Sequence, residues 1–145
     1  MEGKSRKLLM RSKIKYRPPF YLPLWKLFFP SSDFETTVYV WGQDIYTKYK
    51  LDQALFIHEY THCEQQKLSK FWGTIWLIRY ATSPQFRLKQ EIEAYQNQYA
   101  YYCSRDKDPN FQARFLHKLS SDLSSSLYGG IMNYDDARRI IADAK

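Results

Sequence analysis

The chain has 145 residues, 44% of them hydrophobic and 18% aromatic, which is enough for one domain with a real core and too apolar for a disordered segment. Residues 1–26 hold eight of the 22 Lys and Arg residues against Glu2 alone, so the whole +7 net charge falls in an N-terminal arm and the basic character does not belong to the domain. Two cysteines, Cys63 and Cys103, exclude a disulfide framework, make a reducing compartment the default and form no CxxC pair.

Residues 1–17 are expected to be loosely attached. Such an arm aids solubility, or touches an acidic partner, nucleic acid or a membrane surface. Stacking on nucleic acid is disfavoured, because Tyr16 is the sole aromatic residue in 4–17. The stretch PPFYLPLWKLFFP follows. Pro18, Pro19, Pro23 and Lys26 break its apolar run, and no small-residue cleavage site comes after it. Neither a signal peptide nor a membrane span is predicted, so the expected location is cytoplasmic. Its apolar residues, from Phe20 to Phe29, are expected to pack on the domain, with a membrane-surface anchor as the alternative. Residues 1–30 are thus assigned to the arm and 31–145 to a single domain.

Within that domain, TTVYVW at 36–41 alternates and is rich in β-branched and aromatic types, which predicts a strand. Gly42-Gln43-Asp44 offers a turn, and IYTKY a second short strand. A helix is predicted from about Leu51 to Ser69, and FWGTIWLIRY at 71–80 reads as a buried helix rather than a strand. Ser83-Pro84 opens a helix to about Tyr102, since serine caps well and proline suits the first helical position. Asp108-Pro109 repeats the signal for a helix to about Ser126. Gly129-Gly130 makes a turn, and Asn133 caps a last short helix with Asp135 and Asp136 in its positive first turn. The predicted fold class is α+β, mostly helical, with one small sheet.

The helix from Leu51 contains IHEYTHCEQQ. His58 and His62 stand four residues apart and share a helix face, so their imidazoles can converge on one cation. Glu59 is turned about 100° from His58, too far round for a natural ligand but placed to act as a general base. A catalytic zinc needs a third protein ligand. Gln65 and Leu68 close the short routes to one. His117, the remaining histidine, lies on a later helix without a supporting motif. Among the carboxylates, Glu91 borders the apolar stripe Leu88–Ile92–Tyr95–Tyr99–Tyr102, while Glu93 points away with Lys89, Gln96 and Asn97. A carboxylate on a buried face needs a partner, and a cation supplies one, so Glu91 is the predicted third ligand.

His58-Glu59-Tyr60-Thr61-His62, followed 29 residues later by Glu91-Ile92-Glu93-Ala94-Tyr95, resembles the gluzincin metallopeptidases over about residues 36–102. Gln65 resembles the corresponding residue of small HExxHxxQ proteins of bacteria and their phages. The resemblance implies a minimal zincin-like domain with its sheet packed on the HExxH helix. It implies one zinc per chain on His58, His62 and Glu91, with Glu59 as general base in the hydrolysis of a protein or peptide. It also implies that strand 36–41 borders the cleft and pairs with extended substrate. Tyr95 stands where the family usually has an aspartate that orients a zinc histidine, so another group must orient the imidazoles here. Tyr128 and His117 are the candidate donors to the oxyanion. A phage-encoded chain would further be expected in the virion. The alternative expectation is a non-catalytic zinc-binding structural or interaction protein of the same fold.

Overall fold

The computed structural model describes residues 13–144. The described chain forms two compact units. One holds residues 13–52 and 59–82, the other residues 53–58 and 83–144.

The sheet belongs to the first unit. Strand β1 (Lys13–Lys15), helix α1 (Leu22–Phe28), β2 (Tyr39–Trp41) and β3 (Asp44–Tyr46) come in that order. The strands lie in the order β1-β3-β2, with β1 parallel to β3 and β2 antiparallel to it, Val40 facing Ile45. The arm is therefore not loose throughout. Lys13–Lys15 forms a strand on β3, because Thr47 N–H donates to Lys15 O and Lys13 N–H to Gln43 O, extending the ladder at both ends. The rest of the predicted loose segment, residues 1–12, lies outside the described residues.

The predicted hairpin is present but short. Gly42 makes its turn at φ +64°, a left-handed conformation that glycine adopts without penalty. Its N–H donates to Gln66 Oε1 at 2.6 Å, and Gln66 Nε2 donates to Val40 O at 3.4 Å. Gln66 is fully buried, so one amide fastens the hairpin to the end of the HExxH helix. A Cβ on Gly73 would lie 2.4 Å from that Oε1 and 2.9 Å from Gly42 N. Gly73→Ala is therefore expected to lower stability by about 1–3 kcal/mol in a denaturant titration, through overpacking of a bonded amide and a backbone group that cannot retreat.

Helix α2 spans Gln53–Gln65. It stops short of the predicted Ser69 because Lys67 and Leu68 turn left-handed, at φ 55° and 52°, while Leu68 N–H reaches back to Cys63 O at 2.9 Å. Helix α3 (Lys70–Thr82) follows. It is a helix as expected, but not a buried one. Gly73 and Trp76 are buried, whereas Phe71, Trp72, Ile75 and Ile78 are exposed. Residues 20–29 likewise pack only in part. Leu22 is buried and Trp25 stacks on Tyr80, while Phe20, Leu24, Leu27 and Phe28 face out. No helix among the described residues is long and apolar enough to cross a membrane.

The second unit is helical. Helix α4 (Pro84–Arg105) is capped by Ser83, whose side chain accepts from Phe86 N–H. Helix α5 (Pro109–Leu123) is capped by Asp108, and α6 (Tyr134–Ala142) by Asn133. Each cap is the residue that the sequence pattern identifies, since the side-chain oxygen satisfies an N–H with no partner inside the helix. A 3-10 turn (Ser126–Tyr128) joins α5 to the Gly129-Gly130 bend. The core gathers Leu88, Tyr95 and Tyr99 of α4 with Leu116, Leu119 and Leu123 of α5 and Ile141 of α6. Tyr102, at the end of the predicted stripe, stacks on Phe115 at 4.1 Å. Burial, with a hydrogen bond to the Cys103 thiol, pushes the Tyr99 phenol up to about 12. Cys63 and Cys103 are buried and form no disulfide.

Candidate metal centre

The first half of α2 supplies apolar contacts through Ala54 and Phe56, and the turns after it are enclosed. Residues 58–63, His-Glu-Tyr-Thr-His-Cys, are buried without interruption. Two imidazoles and a carboxylate in such a stretch demand polar partners. On α4, Glu91 is buried, 3% exposed, and its near neighbour Glu93 is exposed, which is the separation that helical periodicity predicts.

In the second unit, His58 Nε2 faces Glu91 Oε2 at 3.1 Å. The other ring nitrogen, Nδ1, lies 3.0 Å from Gln98 Oε1. An amide oxygen can only accept, so Nδ1 carries the proton and donates it. Nε2 then meets the carboxylate with either a proton or a cation between them. One turn along α2, His62 repeats the arrangement. Its Nδ1 lies 2.9 Å from Gln65 Oε1, which leaves Nε2 as the lone-pair nitrogen. Both imidazoles are thus oriented by glutamine amides. Tyr95 instead sets its ring edge-on against His58, centroids 4.6 Å apart.

The set fits a metal. One ligand atom from each of His58, His62 and Glu91 can be chosen so that all three lie within 4.8 Å of one another, and all three residues are buried. Donors held at about 2.0–2.1 Å in a tetrahedral centre stand about 3.3 Å apart, close to the His58–Glu91 spacing. Among the described residues no other group of three His, Cys, Asp or Glu side chains meets the same test. The group could hold a metal ion. Two imidazole nitrogens and one carboxylate suit zinc, copper, nickel or iron better than calcium or magnesium.

Gln98 is the site residue that the sequence pattern does not single out. It follows Glu91 by two helical turns, so the same face carries both. Its removal is expected to be visible: Gln98→Leu should weaken metal affinity by about 10–100-fold in competition with a chromogenic chelator, with the fold retained.

The remaining candidates are placed as follows. Glu59 is buried in the first unit. The Tyr21 phenol stands well above its usual pKa, chiefly from burial, then from Tyr46 and Tyr39, and also from the Glu59 charge. Tyr49 is raised first by burial and then by Glu59 and Asp52. Tyr128 is buried, and its hydroxyl meets that of Tyr95 at 3.0 Å, which links it to His58 through the Tyr95 ring. His117 is exposed and bonds Tyr134 Oη through Nδ1 at 2.7 Å, an ordinary tie between α5 and α6. Strand β2 lies at the sheet edge, but its Val40 carbonyl already accepts from Tyr21 Oη and Gln66 Nε2. A peptide pairing along β2 would have to displace these side chains, which the sequence pattern gives no sign of. Comparison with known proteins returns no match to this chain, neither a protein-family model nor a curated protein nor a solved structure.

Proposed function

We propose that the protein is a zinc-dependent peptidase of minimal gluzincin type. The observation that carries the proposal is the meeting of His58, His62 and Glu91, with both histidines held by Gln98 and Gln65 in the tautomer that leaves Nε2 available. A zinc ion held there would supply Lewis acidity, lowering the pKa of a water and polarising a carbonyl. Glu59 takes the proton from the attacking water and hands it to the leaving amine. Gln98 and Gln65 keep both imidazoles fixed in orientation and tautomer through the cycle. Tyr128 remains the better oxyanion donor of the two candidates, since its hydroxyl bonds that of Tyr95, whose ring packs edge-on against His58, and His117 bonds Tyr134 instead.

The test uses the zinc-loaded chain and a broad library of fluorescence-quenched peptides. Cleavage should appear, vanish with a chelator and return with added zinc. A chain that binds zinc stoichiometrically and cleaves nothing would point to the alternative, a zinc-stapled structural or interaction protein.

A further inference from the structure

Helix α3 has its apolar stripe on the wrong side for a core. Phe71, Ile75 and Ile78 follow one another at i, i+4 and i+7, so they share a face, and that face is exposed. Ile78 is 59% exposed and Phe71 68%. Helix α1 repeats the pattern in the same unit. Leu24, Leu27 and Phe28 recur at i, i+3 and i+4, Phe20 in the turn before the helix is exposed as well, and Leu27 is 75% exposed. The two helices are joined by aromatic contacts. Trp25 stacks on Tyr80 at 5.8 Å. Phe20 meets Trp41 at 4.8 Å, and Trp41 Nε1 donates to Lys70 O and Thr74 Oγ1 of α3. Two adjacent outward apolar faces exceed the scattered exposure usual for a monomer.

The segments that carry these faces are basic. Among the described residues, 13–32 carry four Lys or Arg and 65–82 carry three, and neither stretch contains Asp or Glu. Lys26 lies on α1 and Arg79 on α3, both exposed. Lys67 sits over the Trp72 ring at 4.6 Å, and Lys70 over Trp41 at 4.8 Å, so cations rest beside aromatic rings at the rim. Lys70 is also paired with the buried Asp44 at 3.6 Å, while Lys26, Lys67 and Arg79 have no acidic residue in their own segments. Apolar side chains flanked by aromatic rings and cations complement the interface of a negatively charged bilayer. No described helix is long and apolar enough to cross a membrane, and a contact in the plane of the surface requires none.

We propose that α1 and α3 dock the protein on an anionic lipid surface. The proposal is independent of the metal centre. Its test is co-sedimentation of the full chain with vesicles of phosphatidylcholine alone or with about one-third phosphatidylserine. The protein should bind the anionic vesicles at least about tenfold more tightly than the neutral ones, and less tightly as salt rises. The double variant Leu27→Glu, Ile78→Glu alters two exposed positions, so it should unfold at the wild-type temperature while binding at least about tenfold more weakly. Failure to bind anionic vesicles, or equal binding by the folded double variant, would overturn the proposal. So would a wild-type dimer in sedimentation equilibrium that the variant converts to monomer, with no vesicle binding by either form, since the faces would then join two copies of this chain.

Discussion

Glu59→Gln is expected to abolish peptide cleavage while leaving metal content and thermal stability as they were. Glutamine matches glutamate in volume and keeps a hydrogen-bonding oxygen, so the enclosed turn of α2 around residues 58–63 should hold its shape. What it lacks is a lone pair basic enough to take a proton. Positioned general bases contribute about 10²–10⁴-fold to rate, and the loss in kcat/KM should fall in or above that range, about 3–5 kcal/mol of transition-state stabilisation. Because Glu59 is not among the three residues that could hold a cation, zinc stoichiometry should be unchanged. Equal activity of Glu59→Gln and the wild type would remove Glu59 from the mechanism and the peptidase proposal with it.

Glu91→Gln should act on metal binding instead. The carboxylate is buried and faces His58 Nε2 at 3.1 Å, so a neutral amide there removes the sole anionic member of the set and leaves the imidazole facing a weak ligand. Loss of affinity should exceed the ~100-fold typical of a residue that merely orients a ligand. The same change reads out in stability. A metal present at about a hundred times its Kd stabilises the folded chain by about 2.7 kcal/mol, which for a domain of this size raises Tm by roughly 5–10 °C. Wild-type protein should lose that increment on chelation, and Glu91→Gln should never show it. Glu93→Gln is the control. Its side chain is exposed, and the variant should keep both the metal and the increment. A zinc-dependent Tm in Glu91→Gln equal to that of the wild type would mean the carboxylate is not a ligand.

The parts legible in the sequence are those governed by local rules. Ser83, Asp108 and Asn133 are found as caps because an N-cap is a contact between residues two or three apart. Glu91 is separable from Glu93 because helical periodicity alone decides which faces inward. The histidine pair is legible for the same reason. What escapes are contacts between distant segments and the identity of the outward face. Strand β1 is parallel to β3 across some 30 residues, and three residues of alternating lysine give no periodic signal of it. Gln98 and Gln66 are amides, which have many ordinary uses, and only the fold reveals that one holds His58 and the other the hairpin. The run at 71–80 is apolar enough to predict a buried helix. Hydrophobicity, however, reports the free energy of leaving water and not what takes water's place, so the exposed stripe on α3 is invisible before the structure.

The centre itself is tested most directly by anomalous scattering at the zinc edge from crystals of the zinc-loaded chain. One peak per chain is expected, within about 2.2 Å of Nε2 of His58, Nε2 of His62 and a carboxylate oxygen of Glu91. A peak elsewhere, or ordered side chains at His58, His62 and Glu91 with no peak between them, would contradict it.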